Sequence, residues 1–280
     1  NIRIENNHIH DICEGVLSDN GAIYLLGVQP GTLVRGNHIH HVTAADYGGW
    51  GIYPDEGSSH IVFEHNWIHD TQGSSFAIHF SRELIVRHNV FARAGDSLVG
   101  VGRVEDHIAA NLSHNLLLGP AKSLYSAAYR GDIRDALSTD ANVIAFTPEK
   151  VPPCTHADFR KDVPRRITFV QWRAAGNDRL SLVTPIKFAE TATTFSLPKN
   201  SPALKAGFQP YDSIAGSGLN MIGEVARQRS SPAIPPRRLN PTLSPAIDAI
   251  VRKLLEPDPE RRYLRASDVS EDIDRQLSDR

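Results

Sequence analysis

The chain has 280 residues, 40% of them hydrophobic, with 30 Lys+Arg against 32 Asp+Glu and a formal net charge of −2. That length and apolar content can bury a core, and near-neutrality leaves no electrostatic footprint for nucleic acid or an anionic membrane surface. No apolar run of about 18 residues occurs, so no membrane span is expected. Cys13 and Cys154 are too few and too far apart for a disulfide framework or a thiolate metal site.

The first residues, Asn1-Ile2-Arg3-Ile4-Glu5-Asn6-Asn7, already make a strand followed by an asparagine turn, with neither an initiator Met nor a signal peptide ahead of them. They read as a fragment beginning inside a solenoid, with cap, signal and part of any site upstream. The motif Asn-x-Ile-His then recurs as Asn7-His8-Ile9-His10, Asn37-His38-Ile39-His40 and Asn66-Trp67-Ile68-His69. Weaker echoes follow at Asn89-Val90-Phe91, Asn115-Leu116-Leu117 and Asn142-Val143-Ile144. The asparagines are 30, 29, 23, 26 and 27 positions apart, a period typical of stacked repeats.

Each repeat carries two short β-rich runs. One precedes the asparagine, as in Thr32-Leu33-Val34-Arg35, His60 to Glu64 and Glu83 to Arg87; the other lies about halfway round, as in Ala22-Ile23-Tyr24, Gly51-Ile52-Tyr53 and Ala77-Ile78-His79. Alternation of apolar and polar residues gives strands with one buried face. The predicted fold is an all-β solenoid, a right-handed parallel β-helix over residues 1–146, followed by a small α-helical C-terminal tail. Inward stacks of Ile9/Ile39/Ile68/Phe91 and Ile23/Ile52/Ile78 are expected. The asparagines are expected to take the αL bend between strands and to stack as an amide ladder.

Repeat spacing stops near residue 146. Residues 147–229, with Pro152-Pro153-Cys154, Pro164 and Phe169-Val170-Gln171-Trp172, read as a degenerate rung and lateral covering segment. Residues 230–242 are Pro-rich and aperiodic, a linker. From 243 to 280 the pattern is helical: Ser244-Pro245 is an N-cap with Pro at the first helical position, followed by Ile247, Ile250, Val251 and Leu254. A second helix begins near Ser267-Asp268 and runs through Val269, Ile273 and Leu277.

Candidate chemistry lies on the outward face. If Ile52 points inward, Tyr53 and Asp55 point outward, and Tyr24 and His79 are expected one rung away on the same stripe, with Asp55 at its edge. Aromatics beside carboxylates suit a sugar groove. Glycoside cleavage needs one carboxylic acid and one carboxylate, and Asp19, Asp55 and Glu56 are the candidates, with Asp46 in a longer insert. Asp19 is expected to stack near Gly48. Asp19-Asn20-Gly21 and Asp55-Glu56-Gly57 equally read as turns. Trp50 is a sugar platform or a core plug, and Gly48, Gly49 and Gly51 favour the groove by permitting close approach. His10, His40 and His69 should form an outward column close enough to invite a metal. A surface ladder is the favoured reading, so no metal or other cofactor is expected.

The segments Leu17 to Gly27, Gln29-Pro30-Gly31-Thr32 and Tyr47 to Ser59, with the Trp172 region and Asn200 to Phe208, resemble bacterial β-helix proteins of polysaccharide breakdown. These include a glycoside hydrolase family with α-L-fucosidase and xylanase members, and the resemblance covers residues 1–219. It implies that Asp19 and Asp55 match a catalytic aspartate pair; the reading of the outward face, apart from the resemblance, adds His79 beside them and Tyr24, Trp50, Tyr53 and Glu56 as sugar contacts. Where such proteins often carry Phe-His-x-His-Tyr-Gly, this chain has Phe76-Ala77-Ile78-His79-Phe80-Ser81. The tail from Leu243 to Ile273, above all Asp258-Pro259-Glu260-Arg261-Arg262-Tyr263, resembles the last two helices of bacterial Ser/Thr protein kinases. There the residue matching Arg262 pairs with a glutamate of the activation segment. The phosphoryl-transfer motifs are absent, so the tail reads as a non-catalytic kinase end.

Three functional classes follow. The first is a glycoside hydrolase acting on a poly- or oligosaccharide, in an extracellular or periplasmic setting. The second is a polysaccharide lyase or epimerase, which wants Lys or Arg near its base. The third is a non-catalytic glycan-binding or structural β-helix. No nucleic-acid partner is expected, and the sequence leaves the oligomeric state open.

Overall fold

The computed structural model describes residues 2–129, 131–156, 165–211, 236–239, 243–254, 256, 263 and 266–278. They fall into two units, Asn1–Ser217 and Gly218–Arg280. In the first unit each turn of the chain contributes one strand to each of three sheets; the second turn, for example, supplies Val28–Arg35, His38–Val42 and Trp50–Pro54. The first sheet has six strands and the other two have seven each. Neighbours pair in parallel, apart from the antiparallel closure of Cys154–His156 against Arg165–Ile167. This is a right-handed parallel β-helix of six turns, the handedness that a twisted strand imposes on its parallel crossover.

The interior is built of columns. In the second sheet Ile9, Ile39, Ile68, Phe91, Leu117 and Ile144 lie at one register level in successive turns, as expected. In the third sheet Ile23 and Ile52 are followed by Phe76, Val99 and Tyr125. The expected place of Ile78 in that column is therefore corrected: the step from Ile52 to its partner is 24 residues, which brings Phe76 to the level of Ile52 and leaves Ile78 paired with Val101. Each such side chain, removed from water, contributes about 1.5–3 kcal/mol.

The asparagines form a continuous ladder. The Nδ2 groups of Asn7, Asn37, Asn66, Asn89 and Asn115 donate to Oδ1 of the next asparagine at 2.8, 2.9, 2.9, 3.0 and 3.1 Å. Each backbone N–H donates to the same oxygen. The last member, Asn142, donates to Asp178 Oδ1 and Ser181 Oγ at 3.1 and 2.9 Å. Asp178 is fully buried and also accepts from Tyr125, Thr139 and Trp172. The expectation that the asparagines take the αL bend needs correction. Positive φ belongs to the residue before each one: Asn6, Gly36, His65, His88, His114 and Ala141. The chain turns one residue early, so the asparagine is free to aim both its amide and its own N–H along the stack.

From the third turn onward the outer face of the second sheet carries an apolar column. Trp67, Val90, Leu116 and Val143 lie there in register, covered by Ala203, Phe208, Phe195 and Leu197.

In the second unit the helices Pro245–Leu254 and Ala266–Ser278 occupy the stretches with helical spacing. Ser244 Oγ accepts from Ile247 N at 3.2 Å, the cap expected ahead of Pro245. Within the stretch read as a linker, Pro236–Leu239 forms one helical turn, and Arg237 N–H donates to Asp248 at 2.8 Å. Residues 230–235 and 240–242 lie outside the described residues, as do residues 258–262 of the kinase-like motif, Arg262 included. Among the described residues no helix is long and apolar enough to cross a membrane.

The ladder generates a stability prediction. Asn66→Ala removes the oxygen that accepts from Asn37 and the amide that donates to Asn89 and to Val34 O, all in a fully buried setting. Unfolding in urea should show a loss of about 2–4 kcal/mol, more than one net hydrogen bond, because buried groups are left unpaired. A loss near zero would show that the ladder does not hold the turns together.

Candidate functional site

The outward face of the third sheet carries a groove of about 720 Å³. Asp19, Trp50, Tyr53, Asp55, Glu56 and His79 all line it. Tyr24 joins them through its ring contact with Tyr53, at 4.7 Å between centroids, and through the hydrogen bond that its hydroxyl donates to Asp55 Oδ2. The sequence expectation put His79 on the stripe of Tyr24 and Tyr53. The register corrects this, because the same 24-residue step that brings Phe76 to Ile52 places Ala77 beside Tyr53 and His79 beside Asp55. His79 Nδ1 lies 2.9 Å from Asp55 Oδ1, and His79 N–H donates to Pro54 O at 3.0 Å.

The groove floor follows from the same register. Below Tyr53 the column continues as Ala77, Gly100 and Ser126, so the outward side chains shrink from a phenol to almost nothing. Trp50 and Tyr53, with ring centroids 4.3 Å apart, wall one end, and Tyr47 lies at the Trp50 edge. Trp50 therefore faces the groove and is no core plug. The expected reason for its neighbouring Gly51 is different, however. A Cβ there would sit 2.3 Å from Ile68 Cγ2, so Gly51 allows close packing inward, toward the core.

Asp55 is 6% exposed. Burial alone would raise its pKa, but hydrogen bonds from Tyr24, His79, the Glu56 backbone and Tyr53 outweigh that and hold the carboxyl below its ordinary value. The Tyr24 and Tyr53 hydroxyls are pushed the other way, first by burial and then by Asp55, so both stay protonated as donors. Asp55 is therefore a buried, oriented anion at neutral pH. Its backbone is fixed too, since Ser58 N–H donates to Asp55 O at 2.9 Å and Gly57 has φ +76°. The turn reading of this segment and its place on the groove are both true.

Asp19 is likewise a turn residue, with φ +54°, and its N–H donates to Tyr47 O at 2.8 Å. As expected, it lies against Gly48, where a Cβ would sit 3.0 Å from Asp19 N. Unlike Asp55 it is exposed, as is Glu56. Sequence reasoning missed Asp96, Arg103, Tyr47 and Phe80, which line the same groove. Arg103 places its guanidinium carbon 4.7 Å from the centre of the Phe80 ring. The signal was the run Val99-Gly100-Val101-Gly102-Arg103, whose alternating glycines leave the outward face bare up to the arginine.

A family model described as a right-handed beta helix region matches residues 1–111. No curated protein and no solved structure matches the chain.

The Asp55 environment makes a pH-dependent prediction. A carboxyl whose folded pKa is depressed contributes stability that is present above its unfolded pKa and is lost as pH falls through the folded value. Tyr24→Phe deletes one of the donors, so the Asp55 pKa should rise. The variant should be less stable by about 1–2 kcal/mol at neutral pH, with the difference shrinking at acid pH. Carboxyl ¹³C titration and urea unfolding at several pH values would read both. An unmoved Asp55 titration would remove Tyr24 from the site's electrostatics.

Proposed function

We propose that the β-helix unit is a glycoside hydrolase acting on a poly- or oligosaccharide bound in the groove. One observation carries this reading: Asp55 is a buried carboxylate kept anionic by side-chain donors, beside exposed carboxylates and an aromatic wall. An anion cannot supply a proton, so Asp55 takes the part of nucleophile or of the base that activates water. Asp19, on the rim, takes the part of the acid that protonates the leaving glycosidic oxygen. Trp50 and Tyr53 offer ring faces to a sugar, Tyr24 and His79 orient Asp55, and Glu56 can bond a hydroxyl of the substrate. The resemblance of residues 1–219 to a family with α-L-fucosidase and xylanase members supports the same reading. Polymeric glycans place such an activity outside the cytoplasm. The tail, resembling the closing helices of a kinase lobe without the phosphoryl-transfer motifs, is assigned no activity.

Arg103 favours a second reading. A lyase or epimerase abstracts a proton beside a uronate carboxylate, which needs a cation near the base. Arg103 lines the groove together with His79, whose Nδ1 is turned toward Asp55 and whose Nε2 remains as the base.

The test is a screen against fucosylated, xylan and pectic oligosaccharides, following both reducing ends and ultraviolet absorbance. A hydrolase liberates reducing ends alone, whereas a lyase also creates an unsaturated, absorbing product. Asp55→Asn and Asp19→Asn should each cost about 10²–10⁴-fold in rate, with Arg103→Gln costing little for a hydrolase and much for a lyase. Unchanged cleavage in both aspartate variants would reject the assignment. Binding without cleavage by the intact chain would establish the non-catalytic glycan-binding alternative.

A further inference from the structure

The outer face of the second sheet holds a second cluster that the groove does not use. Alternation puts residues two apart on one side of a strand, so His8 and His10 share a face, and parallel register stacks two columns from them. One column is His8, His38 and Trp67; the other is His10, His40 and His69. The rings of His8 and His38 stack at 4.5 Å and 2°, and His38 stacks on Trp67 at 3.9 Å and 3°. Across the columns, His8 Nε2 lies 2.8 Å from His40 Nε2. One ring nitrogen from each of His8, His38 and His40 falls within 4.8 Å of the others.

We propose that His8, His38 and His40 form a binding site for a divalent transition-metal ion of the Zn²⁺ class, joining the first two turns of the helix. The sequence favoured a plain surface ladder of His10, His40 and His69, without a metal. The structure adds His8 and His38 beside that column. Two features favour ligation. First, an all-imidazole donor set suits Zn²⁺, Cu²⁺ or Ni²⁺ and not Mg²⁺ or Ca²⁺. Second, nitrogens bound at 2.0–2.1 Å in a tetrahedral site stand about 3.3 Å apart, and here the His8 and His40 nitrogens are 2.8 Å apart with a His38 nitrogen within 4.8 Å of both. His8 and His40 would open by roughly half an ångström, a small rotation of two half-buried rings. The proton now shared between their Nε2 atoms moves to Nδ1 of the donor ring.

Support behind the ligands is also built. His38 Nε2 lies 2.8 Å from His69 Nε2, and His69 Nδ1 lies 2.6 Å from Asp70 Oδ2. Arg93 bonds Asp70 and Glu190 at 2.9 and 2.7 Å. A carboxylate behind an imidazole fixes its tautomer and orientation, as in known metal centres. Here the support acts one ring further out, through His69, whose Nδ1 lies against both Asp70 Oδ2 and Arg93 Nη2 while its Nε2 meets His38 Nε2.

Titration of the metal-stripped full chain with Co²⁺, Zn²⁺ and Cu²⁺ tests this. One equivalent of Co²⁺ should bind, giving visible d–d absorption that Zn²⁺ displaces. Cu²⁺ should quench the fluorescence fraction that is lost in Trp67→Phe, because Trp67 stacks on a ligand ring. His38→Gln and His40→Gln should weaken binding about 100-fold or more, whereas His60→Gln, on another sheet, should leave it unchanged. Should His38→Gln fail to fold by circular dichroism, His8→Gln, at a half-buried position, carries the same expectation. No stoichiometric binding, or equal affinity in the His8 and His40 variants, would reduce the cluster to a stacked histidine ladder. Glycan cleavage is not the readout, so failure of the groove assignment leaves this test intact.

Discussion

Every side-chain column in this molecule exists because successive turns are locked in register, and the amide ladder from Asn7 to Asn142 supplies the lock. Parallel pairing alone would tolerate a slip of two residues, since that keeps each side chain on its proper face. The ladder does not tolerate it. A buried amide moved two residues along loses its partner, at about 1–3 kcal/mol for each group left unpaired. The stack also needs an end, and Asp178 provides one by accepting the last amide together with a phenol, a hydroxyl and an indole N–H. The constraint has a backbone cost. The residue before each asparagine is left-handed, and at His65, His88 and His114 it is neither Gly nor Asn, against an intrinsic preference of about 1–2 kcal/mol.

Register fixes what stacks within a sheet, while the length of the connections fixes what each turn brings to the third sheet. Between the strands His38–Val42 and Trp50–Pro54 the chain inserts seven residues, but between Trp67–Thr71 and Phe76–Ile78 only four. The longer connection carries Tyr47 to the groove and leads into Trp50; the shorter one shifts the next turn so that His79 meets Asp55. The connections leaving the third sheet vary too, with two, four and five residues after Leu25, Pro54 and Ile78, whereas the ladder corner stays constant.

That division explains how far the sequence could be read. The column Ile9/Ile39/Ile68/Phe91 was legible because it follows the ladder asparagine at a fixed offset, and so were Tyr24 and Tyr53, whose turns differ by the same 29 residues as Asn37 and Asn66. Ile78 and His79 were misplaced because a single period cannot describe a turn that drops five residues in a loop. Asp96 and Arg103 were missed for the same reason, since a shorter step hides that they line the same groove as Trp50 and His79. The end of the ladder was not legible at all. Asp178 lies in the stretch Gly176-Asn177-Asp178, which reads as an ordinary turn, and only three-dimensional closure reveals it as the acceptor of four elements. The histidines were visible as one column of three, but the metal-ready set draws on two columns, which needs the diagonal contact between neighbouring turns.

The two outward faces differ in how their polar groups are prepared, and this bears on what each can do. On the groove face a carboxylate is buried and kept charged by donors that cannot be withdrawn without moving Tyr24 or His79, so its solvent shell has been replaced by fixed dipoles before any ligand arrives. The accompanying acids, Asp19, Glu56 and Asp96, stay exposed. Acid–base catalysis needs that asymmetry, because two equally buried carboxylates would share one proton and two equally exposed ones would have no defined roles. On the histidine face burial acts in the opposite sense. It lowers the pKa of His8, His38 and His40, whose ring nitrogens pair with one another and with His69 and His41. The same coil therefore prepares an anion on one side and neutral donors on the other, using burial against different titrating groups.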